Sequence, residues 1–531
     1  MRSVKLRFLA LLMALILLLT GCSMELPGYM QLLLSSYVST HFSDMKYTRP
    51  DAQVVLDAVD VCMEDAQGDD FKTLITNVTN CMVEYQSFLT NYNLAQIYYS
   101  CDMTDIYWTD EYNYCMDNSS AVSAAMDQLL YALADSSHRE ALEADEYFGE
   151  GYFDDYEGDS IWDETFTGLM DREADLLTVY YDLSAQATVD GPWNYADDLC
   201  QVLVDLVLLR QEMADYTGYD SFHDFAYDYY YMRDYAPEQE EAYLAQVRQE
   251  LVPLYREILV NGNLNIQLRE ASEEDTFAYV QTMAESMGGI VQEAFQEMDE
   301  YGLYDISYGE NKYDASFEVY LPLYSEAFVF LNPTQTSYDL LTFAHEFGHF
   351  CNDYASYGAG SSIDVKEIFS QSMEYLSLFY SPTEHDLEQL QMVSSLSVYV
   401  EQSFYADFEM RLYNMDPEKL NKDAVFALFD QVSRDYGFDI LGVDSSYLVQ
   451  IPHFYIAPCY IFSYVVSNDA SMQIYQLEQQ ESGAGLQKLT ENLAPVEITF
   501  LAFLESAGLE SPFRDGRIRE VAQTLEEILR S

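Results

Sequence analysis

The chain has 531 residues, 49% of them hydrophobic, which is enough for two or more domains with real cores. Its formal charge is −67, from 24 basic and 91 acidic residues. Such a surface repels phosphate backbones and anionic membranes, which argues against a nucleic-acid partner and favours a soluble monomer.

Arg2, Lys5 and Arg7 precede an apolar run from Phe8 to Leu19, of secretory length and too short for a comfortable membrane span. The run ends in Leu19-Thr20-Gly21-Cys22, the pattern of a lipoprotein cleavage site. Residues 1–21 therefore read as a signal peptide and Cys22 as the lipidated N-terminus. The protein is expected outside the cytoplasm, anchored to the membrane by lipid alone.

Residues 22–50 read as a tether and 51–195 as an N-terminal helical region. Leu74, Val78, Cys81 and Met82 recur at helical spacing there. An extracytoplasmic setting permits one or two disulfides among Cys62, Cys81, Cys101 and Cys115, with the pairing open. Cys200, Cys351 and Cys459 lie in apolar or aromatic surroundings and read as buried thiols. Asp154, Asp155, Glu157 and Asp159 match no calcium-loop spacing and read as a solvated connection.

Phe317 to Leu331 alternates and is rich in aromatic and β-branched residues, with Pro322 at a turn, so a small hairpin or sheet is expected. An open edge there, near Ala327 to Phe330, would let an extended peptide add as a strand, with Ala327 and Phe328 in contact with it. Thr336 and Asp339 then form a capping-box-like helix start.

The helix that follows carries His345-Glu346-Phe-Gly-His349, the pattern H-E-x-x-H. Two histidines one turn apart share a face and can reach one zinc ion. Glu346, beside them, can take a proton from water and return it to a leaving amine. Catalytic zinc takes a third protein ligand. Glu367, 22 residues after His345, reaches it from a second helix beyond a loop holding Gly358 and Gly360. Glu374, on the same face as Glu367, is placed to orient a histidine. Asp353 and Asp364 are weaker candidates for these roles. Near the C-terminus, His453, Tyr455, Tyr460 and Tyr464 fall within twelve residues and offer donors for an oxyanion. By composition alone, His453 reads as a structural histidine.

These pieces together resemble the thimet oligopeptidase and oligoendopeptidase F family of zinc peptidases, particularly the oligoendopeptidase F branch. His345-Glu-Phe-Gly-His349 resembles its zinc helix. Glu367-Ile-Phe-Ser370 with Glu374 resembles its second ligand helix, and Pro452-His453-Phe454-Tyr455 with Tyr460 and Tyr464 its substrate-binding segment. Upstream, Arg210-Gln-Glu-Met-Ala214, Gly218-Tyr219, Phe222 and Arg233-Asp-Tyr235 are similar to the helical lead-in, and Ser506-Ala-Gly508-Leu509 to the closing helices. The resemblance implies a mainly α, two-lobed ellipsoid with a deep central channel and a small β-sheet beside the zinc helix, with residues 196–531 as the catalytic domain. It implies one Zn2+ per chain, short peptides as substrates, and a substrate or transition-state contact for His453. Two positions depart from the pattern: Asn352 stands in place of a further histidine, and Phe462 in place of a tyrosine. Which of Tyr455, Tyr460 and Tyr464 serves the oxyanion is open.

The expected function is therefore a zinc metalloendopeptidase for short peptides. The alternatives are a zinc-containing peptide-binding lipoprotein without catalysis, for which Phe462 speaks, and a zinc carboxypeptidase.

Overall fold

The structure, a computed structural model, describes residues 39–530 apart from 146–147, 150, 157, 159, 192–193, 261–267, 359–360, 383–386 and 494–497. The proposed signal peptide, Cys22 and Gly360 lie outside the described residues. The fold is mainly helical with one small sheet. The chain divides into two compact units: residues up to 163 together with 294–332, and residues 164–293 together with 333–531. This division falls at 163/164, upstream of the expected boundary at residue 195. The helix Glu164–Asp190 packs along the next one, Ala196–Thr217, and so belongs with the second unit, whereas 294–332 returns to the first. Such long-range pairing leaves no local mark on the sequence.

In the first unit, α1 (Ala52–Ala66), α2 (Phe71–Cys101) and α3 (Ile106–Asp135) pack against one another. Each starts at an aspartate whose side chain accepts a backbone N–H of the first turn: Asp51 from Gln53, Asp70 from Thr73, and Asp105 from Tyr107. Their shared core holds Val55, Val59, Leu74, Val78, Val122, Met126, Leu129 and Leu133. The helical spacing in the sequence thus corresponds to one buried face. Cys62, Cys81, Cys101 and Cys115 are free thiols, so the disulfides expected there are absent from this structure.

The sheet has strand order β1-β3-β2, where β1 is Tyr304–Asp305, β2 Ser316–Leu321 and β3 Glu326–Leu331. β2 and β3 form the expected antiparallel hairpin around Pro322, in register from Ser316–Leu331 to Leu321–Glu326. β3 is the central strand, since β1 pairs with it in parallel at Val329 and Phe330. The expected edge is therefore covered at Val329 and Phe330, while Ala327 and Phe328 lie beyond the end of β1. Ala327 and Phe328 are 3% and 1% exposed, and Phe328 packs on Phe42 with ring centroids 4.2 Å apart. A two-residue strand such as β1 is too short to show periodicity.

In the second unit, α4 (Glu164–Asp190) and α5 (Ala196–Thr217) precede α6 (Pro237–Tyr255) and α7 (Glu273–Met287). The chemistry-bearing residues lie on α8 (Tyr338–Ser356), α9 (Ile363–Tyr380), the single turn α10 (His453–Ile456) and α11 (Phe462–Gln480). α9 packs against both α8 and α11. Ser463, Ser467 and Ser471 recur every fourth residue on one face of α11, where small side chains permit close approach. Ser467 donates to the Asp364 carbonyl at 2.6 Å, Ser471 to the Ile368 carbonyl at 3.2 Å, and Ser372 donates to the Ser471 hydroxyl at 3.1 Å. No helix among the described residues is long and apolar enough to cross a membrane.

Candidate active site

α8 opens at Tyr338, one residue later than the capping pattern suggested. The Asp339 carboxylate accepts the amides of Thr334 at 2.8 Å and Thr336 at 3.0 Å, so it gathers the entering chain beneath the helix start. One turn separates His345 and His349, and their rings lie 5.0 Å apart. Gly348 sits between them on the face turned to α9. A Cβ there would lie 2.6 Å from the Ser370 Cα and 2.8 Å from the Phe369 carbonyl oxygen. Glycine thus lets the two helix backbones meet, and that closeness brings Glu367 to the histidines.

Glu367 Oε2 lies 3.5 Å from His345 Nε2 and 3.8 Å from His349 Nε2. Bonds of about 2 Å in a tetrahedron put ligand atoms about 3.3 Å apart, so the three groups fit a zinc ion. They form the one group among the described residues arranged to hold a metal, with all ligand atoms within 4.8 Å of one another. The other nitrogen of His345, Nδ1, donates to Glu374 Oε1 at 2.6 Å, which fixes the tautomer and leaves Nε2 for the metal. Burial would lower the His345 pKa, but the hydrogen bond and charge of Glu374, with Glu367 and Glu346, raise it to about 10. Three carboxylates therefore converge where a cation belongs. His349 is held below its ordinary value by burial and by the positive charge of His345 and Lys366. Burial raises the Glu367 carboxyl pKa, opposed by His345 and by hydrogen bonds from Tyr460 and Ser370. Asp353 and Asp364, named as weaker candidates, face elsewhere: Asp353 lies 3.9 Å from the Lys366 ammonium, and Asp364 pairs with Arg233 at 3.3 Å.

Of the C-terminal cluster, three members come together. The rings of Tyr460 and Tyr464 lie 5.2 Å apart, and His453 lies 6.0 Å from the first and 6.1 Å from the second. Tyr460 donates its hydroxyl to Glu367 Oε1 at 2.9 Å. Burial raises the Tyr464 pKa most, and the charges of Glu367 and Glu346 raise it further against a hydrogen bond with Tyr460. Burial lowers the His453 pKa, which favours the neutral imidazole. Tyr455 does not join them. It is 0% exposed, stacks on Tyr180 at 4.2 Å and donates to the Leu199 carbonyl at 3.3 Å. Phe462 also points away, into an aromatic core of Tyr235, Tyr243 and Phe513. Asn352 is buried beside Asp353.

Two regions of the chain match protein-family models: residues 42–160 match the peptidase M3 N-terminal domain, and residues 226–495 match peptidase family M3. The chain belongs to peptidase family M3. As an M3 chain it is a metallopeptidase, and the family is generally zinc-dependent. None of the curated proteins matches it in sequence. Among solved structures it is similar to a protein named as a candidate oligoendopeptidase F, with 19% identity and a TM-score of 0.80 over 93% of this chain and 99% of that one. It is also similar to a candidate oligoendopeptidase F from Bacillus anthracis str. Ames, with 19% identity and a TM-score of 0.78 over 93% and 98% of the two chains. PZ peptidase A, solved with an inhibitor, gives 18% identity and a TM-score of 0.79 over 92% and 99%. At these identities the likeness establishes the fold.

The sequence of this M3 peptidase does not reveal what holds the turn at His453 in place. Arg210, buried on α5, pairs with Glu173 at 2.6 Å and donates to the Tyr413 hydroxyl at 3.0 Å. Its guanidinium also donates to the carbonyls of Phe454, at 3.2 Å, and Tyr455, in the single turn that starts at His453. A turn this short leaves its carbonyls without helical partners, and the guanidinium supplies them. An arginine aimed at backbone oxygens has no partner that a sequence pattern can reveal.

Proposed function

We propose that this M3 chain is a zinc-dependent endopeptidase for short peptides. The observation that supports it most is the meeting of His345, His349 and Glu367, with Glu367 Oε2 3.5 and 3.8 Å from the two Nε2 atoms and Glu346 on the same helix as the histidines. His345 Nε2, His349 Nε2 and a Glu367 oxygen would hold the ion, and Glu374 would keep His345 in the required tautomer. Bound zinc would supply a Lewis acid for the scissile carbonyl and for the attacking water.

Glu346 carries the proton, taking it from water and returning it to the nitrogen of the leaving amine. Tyr460 spends its single proton on Glu367, so it serves the ligand rather than the oxyanion. That leaves the Tyr464 hydroxyl and the neutral His453 as donors to the developing oxyanion. Phe462 no longer speaks for a non-catalytic binding protein, since a tyrosine there would face the core. The acidic surface favours peptides of neutral or positive charge. The charged run before Phe8, the apolar run after it and Cys22 support a protein exported and then anchored by lipid.

Glu346→Gln tests this reading. The variant is expected to keep one zinc per chain by metal analysis while peptide hydrolysis falls by about 10²–10⁴-fold. Undiminished turnover in a clean preparation would sink the assignment.

A further inference from the structure

The motif Arg233-Asp-Tyr235 takes no part in the chemistry above, yet its arginine is wholly buried between the two elements that meet at the metal site. On one side, Arg233 pairs with Asp364 at 3.3 Å, and Asp364 lies one turn before Glu367 on α9. On the other, it donates to the carbonyl of Cys459 at 2.9 Å, to that of Tyr460 at 3.5 Å, and to the Ser463 hydroxyl at 2.7 Å. The guanidinium also lies over the rings of Tyr227, Tyr231 and Tyr235, at 4.3, 4.8 and 5.7 Å from their centroids.

Two of those tyrosines bind the same two elements. Tyr231 donates to the Pro458 carbonyl at 2.6 Å, and Tyr235 to Asp364 Oδ2 at 2.8 Å. Cys459, between the anchored carbonyls, has φ +63°, a left-handed conformation that costs energy for any residue but glycine or a small polar one. It is pinned from both faces: its carbonyl accepts from Arg233 and its amide donates to Glu409 Oε1 at 3.0 Å. Tyr460 follows directly, and its hydroxyl reaches Glu367.

We infer that Arg233 is a positioning residue that fixes Tyr460 against Glu367 by fastening the 458–463 loop and the Glu367 helix to a single planar cation. Only a guanidinium supplies enough donors in one plane to serve a carboxylate, two carbonyls and a hydroxyl together, and a lysine ammonium cannot span them. The inference rests on the reading of Glu367 as a zinc ligand. Its consequence is that losing Arg233 acts on zinc through Tyr460.

The test is a double-mutant cycle in the full chain, with zinc affinity read by competition with a chelator and fold by circular dichroism and thermal melting. Arg233→Lys is expected to bind zinc about 10-fold more weakly, within the range for lost outer supports of a ligand. In the Tyr460→Phe background the same change is expected to cost less than about 2-fold, because the contact it protects is already gone. Full, independent losses in both backgrounds would overturn the inference and reduce Arg233 to a structural ion pair. If Arg233→Lys does not fold, Ser463→Ala removes one of the same contacts and is held to the same non-additivity. A wild-type chain that binds no zinc would overturn the underlying metal assignment, an outcome distinct from zinc that binds with additive mutational effects.

Discussion

Glu374 holds His345 through Nδ1 at 2.6 Å, and that hydrogen bond turns Nε2 toward Glu367. A carboxylate behind a liganding imidazole fixes its orientation and raises its basicity. Glu374→Ala is therefore expected to weaken zinc binding by about 10–100-fold without displacing the ligands. Chelator competition measures this, and unchanged affinity would count against the role.

Gly348 brings together the helices that carry His345 and Glu367. A side chain there meets the backbone of Phe369 and Ser370, which cannot swing aside as a flexible chain end would. Gly348→Ala is expected to destabilise the second unit by about 1–3 kcal/mol. Because the strain separates α8 from α9, zinc affinity should fall alongside the melting temperature. A variant as stable and as tight-binding as the wild type would show that the helices do not need this approach.

Positions 464 and 462 should respond differently to exchange between tyrosine and phenylalanine. Tyr464→Phe is expected to lower kcat by about 10²-fold, as loss of an oxyanion donor does. Phe462→Tyr should bring no gain, since it would push a hydroxyl among Tyr235, Tyr243 and Phe513 and cost about 1–3 kcal/mol if that group stays unpaired. A rise in kcat for Phe462→Tyr would overturn the placement of that side chain.

Glu409 gives a pH signature. Burial raises its carboxyl to about 8, against the opposing pull of the Cys459 amide, and its second oxygen is buried with no partner among the described residues. In the unfolded chain the group titrates near its ordinary value of about 4.3. Between the two values the folded state carries a proton that the unfolded state lacks, so this group's contribution to stability falls as pH rises. Glu409→Gln removes that dependence. Its melting temperature relative to wild type is expected to climb between about pH 5 and pH 8. A constant difference would show that Glu409 is ionised in the folded protein.

How much of this was legible in the sequence follows from which interactions are local. The H-E-x-x-H spacing is a property of one helix, so His345, Glu346 and His349 could be read directly. Glu367 and Glu374 share the face of a second helix, and the loop between the helices is short enough to make their return the simple reading. Tyr455 and Phe462 could not be placed. The first lies in a single turn and the second at a helix start, where no established periodicity says which side faces the core. Tyr460 was visible as a candidate, but only its distance to Glu367 shows which carboxylate its hydroxyl reaches. Arg210 and Arg233 stood in the sequence as weak motifs, because the carbonyl oxygens they hold lie more than 200 residues away. The allocation of 294–332 to the first unit is equally non-local.

The most direct test of the zinc endopeptidase assignment is mass spectrometry of a short-peptide library blocked at both ends, incubated with the chain from Ser23 onward, with chelator and after zinc is restored. Internal cuts that vanish on chelation and return with zinc are the predicted result. They also separate an endopeptidase from a carboxypeptidase, which needs a free C-terminus. Intact peptides in the presence of one bound zinc per chain would contradict the account and leave a protein that binds peptides without cutting them.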